Sequence, residues 1–199
     1  MKRFNTTTSI VAITLFAFLL GLILGYVNTI TKHQIDVNYN FERQKSILYT
    51  FDIDTVDKSK EEIYSLFNSN LIENRLRGIH YYTYYQDENL IGYSFPFTAN
   101  GLWGSISGFI AMDNELKKLL GLVFVDHEET PGLGARIDEL WFKEQFRGLD
   151  ISGEREYVYF GEDGLDAITG ATITVNSISV VLNDSILEIK KIIEEELHE

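Results

Sequence analysis

The segment with the most evident chemical potential covers residues 166–177 and reads DAITGATITVNS. Gly170 and Ala171 are small, so the backbone there can approach a ligand closely. Thr172 and Thr174 follow, at the start of a segment with helical periodicity. Free amides and the positive end of a helix dipole favour a phosphate or another anion at such a place. The residues alone leave a second interpretation open, in which Thr172 or Thr174 is an ordinary N-cap.

A glycine-rich turn, HEETPGLGAR at residues 127–136, follows a predicted strand. Pro131 and Gly132, with Gly134 after them, indicate a tight turn whose bare amides suit hydrogen bonding to the edge of a flat polar ring. His127 and the two glutamates beside it resemble an acid–base cluster, but nothing fixes a nucleophile nearby. Hydrolysis is therefore poorly supported. A plain surface loop that leads into the next helix is the alternative.

A third segment, NGLWGSISGFIA at residues 100–111, places Leu102 and Trp103 between glycines at the start of a strand. Both side chains are apolar and stand where a strand meets a loop. A tryptophan in that position is more typical of a core or an interface than of a cofactor contact.

The composition excludes several classes of site. The 199 residues contain no cysteine, so disulfides, iron–sulfur clusters and thiolate zinc sites are excluded. The four histidines show no metal-binding spacing, and we expect no metal site. A net charge of -13 argues against nucleic acid as a partner, because binding phosphates requires a basic face. Redox chemistry in this chain would therefore need an organic cofactor.

An apolar segment near the N-terminus predicts a membrane anchor. No charged residue lies between Arg3 and Lys32, and residues 10–27 with their flanks reach the roughly 20 residues that cross a bilayer. The run is too long for a typical signal peptide and no small-x-small cleavage site follows it, so an uncleaved anchor is favoured. Lys2 and Arg3 precede it, which predicts a cytoplasmic N-terminus and an extracytoplasmic location from about residue 32 onward.

The remaining sequence predicts an alternation of helices and hairpins. We expect helices at 34–50, 58–70 and 138–147, hairpins over 78–97 and over 105–112 with 119–126, and a strand at 156–160. A final helix begins just after Thr172 to Thr174, with apolar residues every three or four positions from Ile178 to Leu197. The predicted fold class is α+β, a mainly antiparallel sheet with helices packed on one side, preceded by one transmembrane helix.

Two of these segments together resemble a known family, the FMN-binding domain shared by NqrC of the sodium-translocating NADH:quinone reductase (Nqr) and RnfG of the Rnf complex. The family's attachment signature is an aspartate, two free positions, Ser or Thr, Gly-Ala and a final Thr or Ser. Residues 166–172, DAITGAT, match it and place the acceptor at Thr172. The second hallmark, ETPGLG, is intact at residues 129–134. The resemblance implies an FMN-binding domain at 76–199, behind a short cytoplasmic N-terminus and anchor at 1–31 and a helical connector at 32–75.

The resemblance implies FMN bound through a phosphoester to Thr172, which a flavin transferase attaches with FAD as donor. Thr172 is then a modification acceptor and not a catalytic nucleophile, and the phosphoester lies at the start of the last helix. The flavin ring is expected against the glycine-rich turn. The implied cofactor-binding residues are Asp166, Thr169, Gly170, Ala171, Thr172, Leu102, Trp103, Glu129, Thr130, Leu133 and Gly134.

The family's role implies an electron-transfer subunit, without independent activity, of a membrane-bound ion-translocating oxidoreductase whose other membrane subunits are its partners. GLWG and the segments at 141–148 and 162–172 look more like the Nqr protein, whereas the short length looks more like the Rnf protein. A free-standing, membrane-anchored extracytoplasmic flavoprotein and a non-redox binding module are the alternatives.

Overall fold

The computed structural model describes residues 6–153 and 156–197. Residues 1–5, which include the positive charges used to predict orientation, lie outside the described part. The chain divides into two units that meet between Phe41 and Glu42. The helices are α1 (Thr6–Thr50), α2 (Lys60–Asn70), a 3-10 helix (Gly134–Asp138), α3 (Leu140–Glu144) and α4 (Thr172–Leu197). The strands are β1 (Leu71–Leu76), β2 (Ile79–Gln86), β3 (Asn89–Asn100), β4 (Ser105–Asp113) and β5 (Leu119–Asp126).

The first unit is an apolar helix that is long enough to cross a membrane. The stretch Thr7–Lys32 has 26 residues, and none of its most apolar window is buried against the protein. At 1.5 Å per residue it is about 39 Å long, which exceeds the roughly 30 Å of a bilayer core. Thr14 and Thr31 donate their hydroxyls to backbone carbonyls one turn earlier, at 3.0 and 2.8 Å, so these polar groups are satisfied within the helix. The helix fits membrane anchoring, and it includes the predicted residues 10–27.

The second unit contains a five-stranded antiparallel sheet in the order β1-β2-β3-β4-β5, as the two predicted hairpins require. Strand β1 was not predicted, because LIENRL carries few apolar residues and lies in the segment assigned to a helical connector. Leu71 is buried whereas Ile72 is more than half exposed, so this edge strand needs only a sparse apolar pattern.

One face of the sheet packs against α4. Ile178, Leu182 and Ile186 are completely buried and recur every four residues along the helix, as the periodicity predicted. On the sheet, Tyr81 stacks on Phe95 with ring centroids 4.8 Å apart. This layer is the main hydrophobic core and supports the start of α4 from below.

Helices also cover the other face, so the expectation of helices on one side is wrong. Phe67 of α2 contacts Tyr82 with centroids 5.5 Å apart, and Phe51, after α1, contacts Tyr84 at 4.9 Å. Tyr82 pairs directly with Ser94, and side chains of paired residues share a face, opposite to that of their neighbours along the strand. Strands that are apolar on both faces need cover on both, which the alternation pattern of the hairpins did not reveal.

Two elements near the site differ from the sequence-based prediction. The helix expected at 138–147 is shorter, and α3 covers Leu140–Glu144 after the 3-10 helix. No strand occurs among residues 156–160; Phe160 makes only a single bridge, to Leu165. Asn183 of α4 instead accepts from Val158 N at 3.0 Å and donates to its carbonyl at 2.7 Å. A side-chain amide thus satisfies the backbone groups that a neighbouring strand would otherwise bind.

The end of α1 is fixed to the segment around α3 by a polar cluster. Tyr49 donates its hydroxyl to Glu144 Oε1 at 2.5 Å, and Arg147 donates to Glu144 Oε2 at 2.8 Å and to the Tyr49 carbonyl at 3.2 Å. Arg147 also donates to the Leu120 carbonyl. A cation bound to one of the last carbonyls of a helix caps its negative end. Burial, and then the hydrogen bond to Glu144, raise the pKa of Tyr49 to about 12.

This cluster predicts a pH dependence of stability at alkaline pH. An unfolded tyrosine ionises near pH 10, so the contribution of Tyr49 is complete below pH 10 and is lost as the pH rises towards 12. Tyr49→Phe should lower the free energy of unfolding by about 1 kcal/mol below pH 10. In urea titrations of the full chain in detergent, the difference from the wild type should shrink as pH approaches 12. Tyr64→Phe, at an exposed position, is the matched control, and a constant difference for Tyr49→Phe would contradict the assignment.

Candidate functional site

A cavity of about 270 Å³ lies where three loops meet above the sheet. One wall comes from the connection between β3 and β4, a second from the loop after β5, and a third from the start of α4. These are the three segments that the sequence singled out for chemistry. The lining residues are Leu102, Glu129, Thr130, Leu133, Gly134, Gly170, Ala171, Thr172, Ile173 and Thr174.

The start of α4 differs in detail from the prediction. Val175 N donates to the Ala171 carbonyl at 3.0 Å, so Ala171 is in the capping position and the helix begins at Thr172. Neither threonine is therefore an N-cap. The amides of Thr172, Ile173 and Thr174 precede the first helical hydrogen bond, and they form the positive end of the helix dipole at the cavity. An anion fits here on electrostatic grounds.

The two threonines of this turn have different environments. Thr172 is exposed and lines the cavity. Thr174 is 1% exposed, and its hydroxyl donates to Glu129 Oε2 at 2.6 Å. Of these two hydroxyls, only that of Thr172 is accessible for modification without displacing a neighbour.

Glu129 connects the three walls of the cavity. Its side chain is buried, and Oε1 accepts from the amide of Leu102 at 2.7 Å and from that of Trp103 at 3.4 Å. Its own amide donates to His127 Nδ1 at 3.2 Å. Because Nδ1 accepts, the neutral ring carries its proton on Nε2, which lies 2.8 Å from Asp138 Oδ2. The loop after β5 is thereby fixed both to the β3–β4 connection and to the 3-10 helix.

Apolar side chains surround the mouth of the cavity. Leu102, Leu133 and Ile173 line it and are each about half exposed, and Trp103 beside them is 66% exposed. Exposed apolar groups clustered around a concave site are typical of a ligand or partner surface. A flat apolar ring fits against this rim while an anionic group reaches the helix start.

The structure brings together most of the predicted site residues but not all of them. Trp103, Asp166 and Thr169 do not line the cavity. Asp166 is exposed, and its backbone is fixed by the Gln145 side chain, which accepts from its amide at 2.6 Å and donates to its carbonyl at 3.3 Å.

Sequence reasoning omitted two residues that do line the cavity, Ile173 and Thr174. The available signal was their position directly after Thr172, within the first turn of the last helix. Thr174 had been considered only as a possible cap, because nothing in the sequence pairs it with Glu129.

Residues 101–186 match the model of a family described as the FMN-binding domain. The chain belongs to this family through these residues, which include all three cavity walls.

Within the family, the chain is similar to NqrC proteins, the C-type components of the Na(+)-translocating NADH-quinone reductase. It is 30% identical to the Chlamydia muridarum protein over 116 residues, 46% of this chain and 36% of that protein. It is 33% identical to the Pasteurella multocida protein over 93 residues, 42% of this chain and 36% of that protein. The chain therefore spans little more than a third of the length of these relatives.

Solved structures of such proteins have the same fold. The crystal structure of the Parabacteroides distasonis protein of this type matches with a TM-score of 0.62 and 25% identity, covering 77% of this chain and 92% of that one. The Shewanella oneidensis NqrC structure matches with a TM-score of 0.61 and 16% identity, covering 70% and 88%. The predicted α+β class with a mainly antiparallel sheet is confirmed.

Proposed function

We propose that this chain is a membrane-anchored electron-transfer flavoprotein with FMN bound through a phosphoester to Thr172. The observation that carries the proposal is the exposed Thr172 hydroxyl at the first position of α4, within a cavity that has an apolar rim. The sequence around it, DAITGAT, matches the attachment signature of the FMN-binding family. The similarity to NqrC proteins favours a role in a sodium-translocating NADH:quinone reductase.

The residues present fit FMN. The phosphate would be held by the amides of the first turn of α4, which offer hydrogen bonds and a favourable dipole. The ring would lie against Leu102 and Leu133, with Thr130 beside it. Gly170, at φ +81, takes a conformation that favours glycine and lets the chain approach the ligand closely. Bound FMN supplies the redox chemistry, while these side chains orient it and limit its contact with water.

Asp166 and Thr169 belong to the attachment signature but lie outside the cavity. Their exposure leaves them accessible to the flavin transferase that the family resemblance implies. We assign them to recognition by that enzyme, with FAD as the donor.

The anchor gives the proposal a location. With Lys2 and Arg3 on the cytoplasmic side, the single span would leave the FMN domain outside the cytoplasm. Electrons would pass between the FMN and neighbouring membrane proteins of the same complex, and the chain would have no turnover of its own.

Coexpression with a flavin transferase tests the proposal. The full chain should then carry flavin fluorescence that stays with the protein band after denaturation, because unfolding does not break a phosphoester. The same chain made without the transferase is the control and should show no such fluorescence. Flavin that is released on denaturation would exclude the covalent bond. Copurification with Rnf proteins in place of Nqr proteins would assign the chain to the other complex.

A further inference from the structure

The carboxylate of Glu129 bridges the two parts of the candidate site that have to be aligned. Oε1 accepts from the Leu102 amide, at 2.7 Å, on the apolar rim. Oε2 accepts from the Thr174 hydroxyl, at 2.6 Å, in the first turn of α4. Thr172 is two residues earlier in the same turn. One side chain thus connects the surface available to a ring with the turn that carries the exposed hydroxyl.

Two glycines leave room for this carboxylate and fix its place. A Cβ atom on Gly101 would lie 2.2 Å from Oε1 of Glu129, and one on Gly134 would lie 2.2 Å from Oε2. Both distances are far below van der Waals contact. The carboxylate therefore cannot shift towards either glycine without moving the backbone of that loop, and it is only 6% exposed.

The charge of Glu129 is compensated in its buried place. Three donors reach it, and one of them belongs to the first turn of α4, where the helix dipole favours a negative group. Hydrogen bonds to a charged acceptor are stronger than neutral ones, and they offset the cost of removing the carboxylate from water. Loss of a single donor would leave one oxygen buried and incompletely paired.

We propose that Glu129 is a positioning residue that acts through Thr174 and the Leu102 amide to set the orientation of the flavin ring. It holds the apolar rim and the attachment turn in one arrangement, and the bond to Thr172 forms without it. The inference rests on the proposed function, because it concerns the geometry of the attached flavin.

The test uses the full chain coexpressed with a flavin transferase and measures two quantities. Intact mass reports attachment, and the visible circular dichroism of the flavin reports how the protein orients the ring. Glu129→Ala and Thr174→Val should both keep the attached flavin and both lose its induced visible dichroism. Because they break the same link, the double variant should lose no more than either single variant.

Conservative variants separate position from charge. Glu129→Gln keeps an oxygen for the Leu102 amide and offers an N–H to the Thr174 hydroxyl, so it should retain the dichroism. Thr174→Ser keeps the hydroxyl and should retain it as well. Glu128→Gln changes the adjacent, exposed glutamate and is the matched control for the loss of one charge.

Each alternative outcome overturns the inference. If Thr174→Val matches the wild type while Glu129→Ala loses the dichroism, Glu129 contacts the flavin directly. If Glu129→Gln is as damaging as Glu129→Ala, charge and not position is decisive. Should Glu129→Ala fail to unfold cooperatively, Glu129→Asp replaces it, and a spectrum closer to the wild type than that of Glu129→Gln rejects the inference. A wild-type chain without covalent flavin contradicts the proposed function itself.

Discussion

Thr172→Val should reduce the covalently bound flavin from one per chain to none. Valine matches threonine in shape but lacks the hydroxyl, so no phosphoester can form at this position. Thr172 is exposed at the first position of α4 and makes no contact that the core depends on, so the fold should persist. Intact mass and fluorescence after denaturation measure the loss, and a cooperative thermal transition shows that the protein is folded.

The neighbouring hydroxyls provide the controls for this result. Thr172→Ser keeps an acceptor and should retain the flavin, since the attachment signature admits either residue. Thr174 is an implausible alternative acceptor, because its hydroxyl is buried and bound to Glu129 at 2.6 Å. Flavin that persists in Thr172→Val, on Thr174 or on the exposed Thr169, would show that the acceptor is misassigned.

Phe142→Ala should have the largest effect on stability. Phe142 of α3 is completely buried, stacks on Phe160 with centroids 5.8 Å apart, and meets Phe146 edge to face at 5.5 Å. Truncation of such a side chain removes its buried area and leaves a cavity that a ring cluster cannot refill. The free energy of unfolding should fall by about 4 kcal/mol.

Urea denaturation of the full chain in detergent measures this change. Leu140→Ala, on the same helix, is the matched control, because Leu140 is 63% exposed and its truncation should change stability by about 0.5 kcal/mol or less. Equal effects of the two substitutions would mean that α3 does not pack as described.

Local periodicity was enough to predict most of the fold. The hairpins β2–β3 and β4–β5 follow from alternating aromatic and apolar residues around short polar turns, and α4 follows from its stripe of Ile and Leu. The membrane helix follows from its uncharged length. In each case the signal is carried by adjacent residues and needs no knowledge of distant ones.

The missed features depend on contacts between distant residues. Residues 156–160 read as a strand, but Asn183 on α4 satisfies the backbone of Val158, and no sequence pattern links positions 25 apart in that way. The bond from Thr174 to Glu129 is of the same kind, across 45 residues. For the site, motifs located all three walls of the cavity. They did not show which of two threonine hydroxyls is accessible.

The small, open cavity has a consequence for how a cofactor is retained. A noncovalent ligand remains only as long as its contacts outlast thermal escape, which requires deep enclosure. With the phosphate bonded to Thr172, as proposed, the local concentration of the ring at its surface is fixed by the tether and not by affinity. The rim formed by Leu102, Leu133 and Ile173 then needs only to select one pose. A shallow seat of this kind leaves the outer edge of the ring uncovered, within reach of the next electron carrier.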